Sequence, residues 1–99
     1  MKIIWSDLAI SRLSEIHQYI SLDSQMEADK WLDKLLNYTK RLETFPESGR
    51  FIPEIPERKD VKELLFGNYR IIYNFDRKKV LILTVRHVKQ ILPVEEADI

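Results

Sequence analysis

At 99 residues the chain is long enough for one domain and too short for two. Its 44% hydrophobic content supports a small core and excludes a disordered chain, and the lack of cysteine excludes disulfides, thiolate nucleophiles and cysteine-held zinc. Sixteen basic residues against sixteen acidic ones argue against dependence on non-specific nucleic-acid affinity.

Lys2–Trp5 is a short apolar run and reads as a strand. The segment Met1 to Asp7 turns polar too early for a signal peptide, and no apolar run is long enough to cross a bilayer. A soluble cytoplasmic protein with no membrane partner is expected. Ser6 suits a helix N-cap, and Asp7 favours the positive end of the helix dipole. Ala9, Leu13, Ile16 and Ile20 then share one helical face, and the helix should end near residues 21–23.

Ser24-Gln25-Met26-Glu27 is a capping box that opens a second helix. Ala28, Leu32, Leu35 and Leu42 form its apolar stripe, widened by Trp31, Tyr38 and Phe45, and Pro46 stops it. The short joint implies an antiparallel αα-hairpin. Pro46 to Pro56 reads as a loop.

From Val61 onward the pattern is β. Gly67-Asn68 suits a two-residue hairpin turn of type II′ or I′, and the polar turn 76–79 leads into a third strand. Following the chain's direction, the last strand should run antiparallel to the first and pair with it. The expected fold is a two-layer α+β domain: an N-terminal strand, an αα-hairpin and a three-stranded antiparallel meander. Its four-stranded antiparallel sheet would carry helices on one face. One domain spans 1–99, with strand and helices in 1–46, the meander in 61–92 and an acidic tail in 93–99.

The turn lengths give a register. Phe66 falls opposite Tyr69, Glu63 opposite Ile72, Phe75 opposite Val80 and Arg70 opposite Val85. Lys62, Leu64, Phe66, Tyr69, Ile71, Tyr73, Phe75, Val80, Ile82 and Thr84 then share the face under the helices. Glu63, Leu65, Arg70, Ile72, Asn74, Leu81, Leu83, Val85 and His87 lie on the other face. That face is apolar for an open one, yet it carries charges, as partner surfaces do.

The neutral total hides an asymmetry. Residues 1–49 hold six basic and eight acidic side chains, 50–90 hold ten and five, and 91–99 hold three acidic and no basic ones. The basic middle suits phosphate or an acidic partner, or forms a solvated rim at Arg50, Arg58, Lys59 and Lys62. Glu95, Glu96 and Asp98 read as a frayed, solvated tail. His17 reads as a helix-boundary residue, and His17 and His87 match no metal-ligand spacing, so no metal or cofactor is expected.

Several pieces recur together over most of the chain. They are the strand into Trp5, Tyr19-Ile20, Ala28, Leu42 to Pro46, Gly49-Arg50 with Pro53-Glu54, the segment Leu65 to Tyr73, and His87. In this order and spacing the chain resembles the RelE/ParE superfamily of type II toxins, and the Gly49-Arg50 and Gly67–Tyr73 pieces resemble its ParE-like branch. The resemblance implies a toxin that inhibits DNA gyrase without catalysis and pairs with a ParD-like or RelB-like antitoxin in a hetero-oligomer. The RelE-like alternative is a ribosome-dependent mRNA endoribonuclease. For it, Arg70 and His87 stand where that branch has an Arg and a His, and Glu63 is a spatial candidate. Glu63 would serve as base, Arg70 would stabilise the phosphorane and His87 would act as acid. The bland readings are an Arg70 ion pair with Glu63 or the tail, and a backbone-bonded His87. A third alternative is a non-toxic module that only binds the antitoxin. Arg50, Lys62, Leu65, Tyr73, Leu81, Leu83 and Arg86 are the candidate residues for partner or target contact.

Overall fold

The computed structural model describes residues 1–97. The chain runs β1 (Lys2–Trp5), α1 (Asp7–Ser21), α2 (Gln25–Thr39), a 3-10 turn (Lys40–Glu43) and β2 (Arg50–Phe51). It continues through β3 (Val61–Phe66), β4 (Tyr69–Phe75), β5 (Lys79–His87) and a short α3 (Val94–Ala97). Among the described residues no helix is long and apolar enough to cross a membrane.

Both helix starts follow from their caps. The Ser6 side chain accepts from the Ala9 N–H at 3.0 Å, and that of Ser24 accepts from the Glu27 N–H at 3.2 Å. Ser6 Oγ also donates to the Leu83 carbonyl at 2.8 Å, which ties the start of α1 to β5. Helix α2 ends earlier than its apolar stripe suggests. The stripe passes into the 3-10 turn, where Leu42 is buried, and Phe45 is left exposed.

The α+β class and the helical hairpin agree with expectation, but the sheet differs in two respects. It has five strands among the described residues, in the order β1-β5-β4-β3-β2, and β1 pairs with β5 in parallel. The reason is one extra reversal. The segment between α2 and β3 contains β2, which runs antiparallel to β3 through Arg50↔Glu63 and Phe51↔Lys62. This added pass inverts the direction of every later strand relative to β1.

The β3–β4 register is as expected, from Phe66↔Tyr69 to Glu63↔Ile72. Gly67 turns the hairpin at φ 55°, and among the described residues no non-glycine has positive φ. Type II′ is therefore the turn, since type I′ would need positive φ at Asn68 as well. The β4–β5 register begins as expected at Phe75↔Val80, then slips. Tyr73 faces Ile82 while Ile72 faces Thr84, so Leu83 is an extra, bulged residue. Arg70 accordingly faces Arg86, not Val85, and Tyr69 faces His87.

The bulge re-sorts the faces. Val85 joins the helix-side core with Ala9, Leu13, Leu35, Leu42, Leu64, Ile71, Tyr73, Val80 and Ile82. Thr84, opposite Ile72, moves to the second face. Nor is that face open. Ile52 and Ile55 of the long loop, with Leu92, close over Val61, Ile72 and Leu83 to form a second core. Tyr73 anchors the loop from the other side: its hydroxyl donates to the Pro46 carbonyl at 2.7 Å and accepts from the Gly49 N–H at 3.0 Å. A Cβ on Gly49 would stand 2.5 Å from that hydroxyl and 2.7 Å from the Glu63 carbonyl, so only glycine fits this approach.

Candidate functional site

Glu63 and Arg70 meet, as their shared face predicts, but they meet inside the protein. The Glu63 carboxylate is fully buried, accepting from Arg70 Nε at 2.6 Å on one oxygen and from Arg50 Nε at 2.6 Å on the other. Glu54 grips the far side of Arg70 through two bonds, at 2.7 and 2.8 Å from its two terminal nitrogens. Glu54 also accepts from the Leu92 N–H at 2.8 Å, and Arg70 donates to the Gln90 carbonyl at 3.2 Å. Two guanidiniums thus neutralise two carboxylates, and together they fasten the loop and the 90–92 segment to β3 and β4. The Arg70 bonds hold the Glu54 carboxyl well below the usual carboxylate range, at about 2. Donation to the Glu54 carboxylate, and to that of Glu63, raises the already high Arg70 pKa against the cost of burial.

His87 does not join them. The bulge turns it to the helix side, where its ring meets Tyr69 edge-on at 5.5 Å, and Tyr69 in turn meets Trp31 at 5.3 Å. The Lys89 N–H donates to His87 Nδ1 at 3.1 Å, so Nδ1 acts as an acceptor. The expected cluster of Glu63, Arg70 and His87 is therefore split across the sheet. Burial pushes the Tyr69 hydroxyl pKa up. His17 stands apart on α1, with its Nε2 2.8 Å from Asp29 of α2.

His87 opens instead on a cleft of about 540 Å³ lined by Arg12, Tyr19, Tyr69, Arg86 and Gln90 among others. Glu96 bonds two arginines that line it. One of its oxygens lies 3.2 Å from Arg12 and 3.0 Å from Arg86, and the other accepts from the Thr84 hydroxyl at 2.8 Å. This corrects the reading of Glu96 as part of a solvated tail; Glu95 is exposed, and Asp98 lies outside the described residues.

The expected contact residues divide by exposure. Tyr73 and Leu83 are fully buried, which corrects the expectation that they face a partner. Leu65 is exposed, and Arg50 keeps 57% of its side chain accessible despite its bond to Glu63. Lys62, Leu81 and Arg86 are half-buried. The ammonium of Lys62 sits 4.4 Å from the centre of the exposed Phe51 ring. Leu65, Val88 and Ile91 line a shallow apolar notch above the ion network, bordered by Arg50, Pro53 and Lys89. Sequence reasoning placed none of Arg12, Glu54 and Glu96 in a site, although it noted Glu54 beside Pro53 and Glu96 in the acidic tail. Glu54 is 16 residues from Arg70 and Glu96 is 84 from Arg12, and no periodicity links residues so distant.

Comparison with known proteins agrees with this architecture. A search of curated protein sequences found no match. A solved chain described as "Chromosomal ParDE TA system from P. aeruginosa" has the same fold, with TM-score 0.72 and 21% identity over 88% of this chain and 95% of that one. The sequence model of the family described as "ParE toxin of type II toxin-antitoxin system, parDE" matches residues 3–92. With nine-tenths of its length matched, and with the helical hairpin and sheet in place, the chain belongs to the ParE toxin family of type II toxin–antitoxin systems.

Proposed function

We propose that this protein is a non-catalytic toxin that inhibits DNA gyrase in the cytoplasm and is neutralised by a cognate ParD-like antitoxin. Family membership supports the reading. The observation that carries it is the separation of His87 from Glu63 and Arg70. A phosphodiester cleaved by general acid–base chemistry must lie within hydrogen-bond reach of both acid and base. Here the base candidate is fully buried between two arginines, and the acid candidate is on the opposite face. The antitoxin contact is assigned to the notch at Leu65, Val88 and Ile91, where Arg50 and Lys89 favour an apolar segment flanked by carboxylates.

Growth on induction separates this reading from its alternatives. Wild type and His87→Ala should arrest growth equally, and co-expression of the antitoxin should relieve both. Loss of arrest in a folded His87→Ala protein would favour the ribosome-dependent nuclease. No arrest by the wild type would favour a module that only binds its antitoxin.

A further inference from the structure

β1 pairs with Lys79–Ile82, so among the described residues the later half of β5 borders no strand on that side. Arg12 reaches past this edge from α1, Arg86 and Thr84 reach it from β5, and all three converge on Glu96. Two guanidinium groups and one hydroxyl around two oxygens of a single anion make a receptor suited to a phosphate group. Its present occupant is a carboxylate on a four-residue terminal helix.

The donor set is not used up. Among the described residues, the buried Nε atoms of both Arg12 and Arg86 find no hydrogen-bond partner. A carboxylate leaves those two donors unanswered, whereas a phosphate offers more acceptor oxygens. Glu15 binds Arg12 at 3.2 Å but is 59% exposed, so it can swing away into water. The adjoining cleft, at about 540 Å³, falls within the size range of small-molecule sites, and it is flanked by the rings of Tyr19, Tyr69 and His87. Tyr19 is 71% exposed and free to stack on a base.

We propose that Arg12, Arg86 and Thr84 form a binding site for the phosphate of a single-stranded nucleotide, occupied in cis by the Glu96 carboxylate. The base of that nucleotide lies along Tyr19 and Tyr69. Displacement of Glu96 exposes the site, so the C-terminal turn gates it. This site is independent of the gyrase reading and is tested by binding alone.

The probe is a short single-stranded thymidine oligonucleotide, titrated into the full-length protein by calorimetry, with inorganic pyrophosphate in parallel. Glu96→Gln should bind the oligonucleotide at least tenfold more tightly than wild type, and Glu96→Gln with Arg86→Gln should lose that gain. In the wild type, saturating oligonucleotide should shift the Arg12 and Arg86 Nε–H resonances, a readout that needs no substitution. Equal oligonucleotide affinity in all three proteins, with unmoved arginine resonances, would overturn the proposal. Pyrophosphate binding as tightly as the oligonucleotide would also overturn it, because the rings would then contribute nothing.

Discussion

Replacing Arg70 with Met should destabilise the protein by about 3–5 kcal/mol, the range for removing one partner of a buried ion pair. Arg70 faces Glu63, which is fully buried, and Glu54, which keeps only 22% of its side chain exposed. Methionine fills much of the volume but leaves both carboxylates short of donors, and it releases the Gln90 carbonyl as well. The second core should loosen with it, since Ile52, Ile55 and Leu92 are carried by the segments that Arg70 fastens. At about 4–8 °C per kcal/mol for a domain of this size, the melting temperature should fall by well over 10 °C. Arg70→Lys should fall between, because an ammonium cannot hold Glu54 bidentately and reach Glu63 too. Lys30→Ala breaks an exposed pair with Glu27 and serves as the control, with little change expected. Thermal melting monitored by circular dichroism decides the matter, and a loss for Arg70→Met as small as the control's would contradict the network's structural role.

Acid should find the same weak point. The Glu54 pKa lies at about 2 in the folded protein against an ordinary value of 4.5. A depressed carboxylate adds stability that is fully present above the unfolded value and is lost as pH falls through the folded one. The window therefore runs from roughly pH 5 down to pH 2, and the loss is up to about 3 kcal/mol. Urea unfolding of the wild type at pH 7, 4 and 2.5 should show this decline. Glu54→Gln should be less stable at pH 7 and should decline less across the same window. Asp60, held low by Arg58, titrates in the same direction but is common to both proteins and cancels. Parallel declines in the two proteins would remove Glu54 from the account.

The local chemistry of the chain was legible. Ser6 and Ser24 announce their helices, and Gly67-Asn68 with the turn at 76–79 fixes the pairings Phe66↔Tyr69 and Phe75↔Val80. What escaped was non-local. A two-residue strand inside a Pro-rich loop carries no periodicity, yet it decides whether β1 runs parallel or antiparallel to β5. The bulge at Leu83 leaves no mark in a run of Val, Leu, Ile and Thr, because each of these suits either side of a strand. One inserted residue there was enough to carry His87 from the face of Arg70 to the face of Tyr69.

The site was legible to the same extent. Glu63 and Arg70 share a face in any register with a two-residue turn, so their pairing followed from the hairpin alone. Their burial did not, since it depends on a loop and a C-terminal segment folding over the sheet. The tail's acidity suggested solvation; the structure uses Glu96 to answer two arginines that would otherwise face each other near β5.

The most direct test of the functional reading is DNA supercoiling by purified gyrase, with and without folded, antitoxin-free protein. The account predicts inhibition with accumulation of cleaved DNA, equally for wild type and His87→Ala, and relief by the antitoxin. Undiminished supercoiling with no trapped cleavage at a large excess of toxin would contradict it.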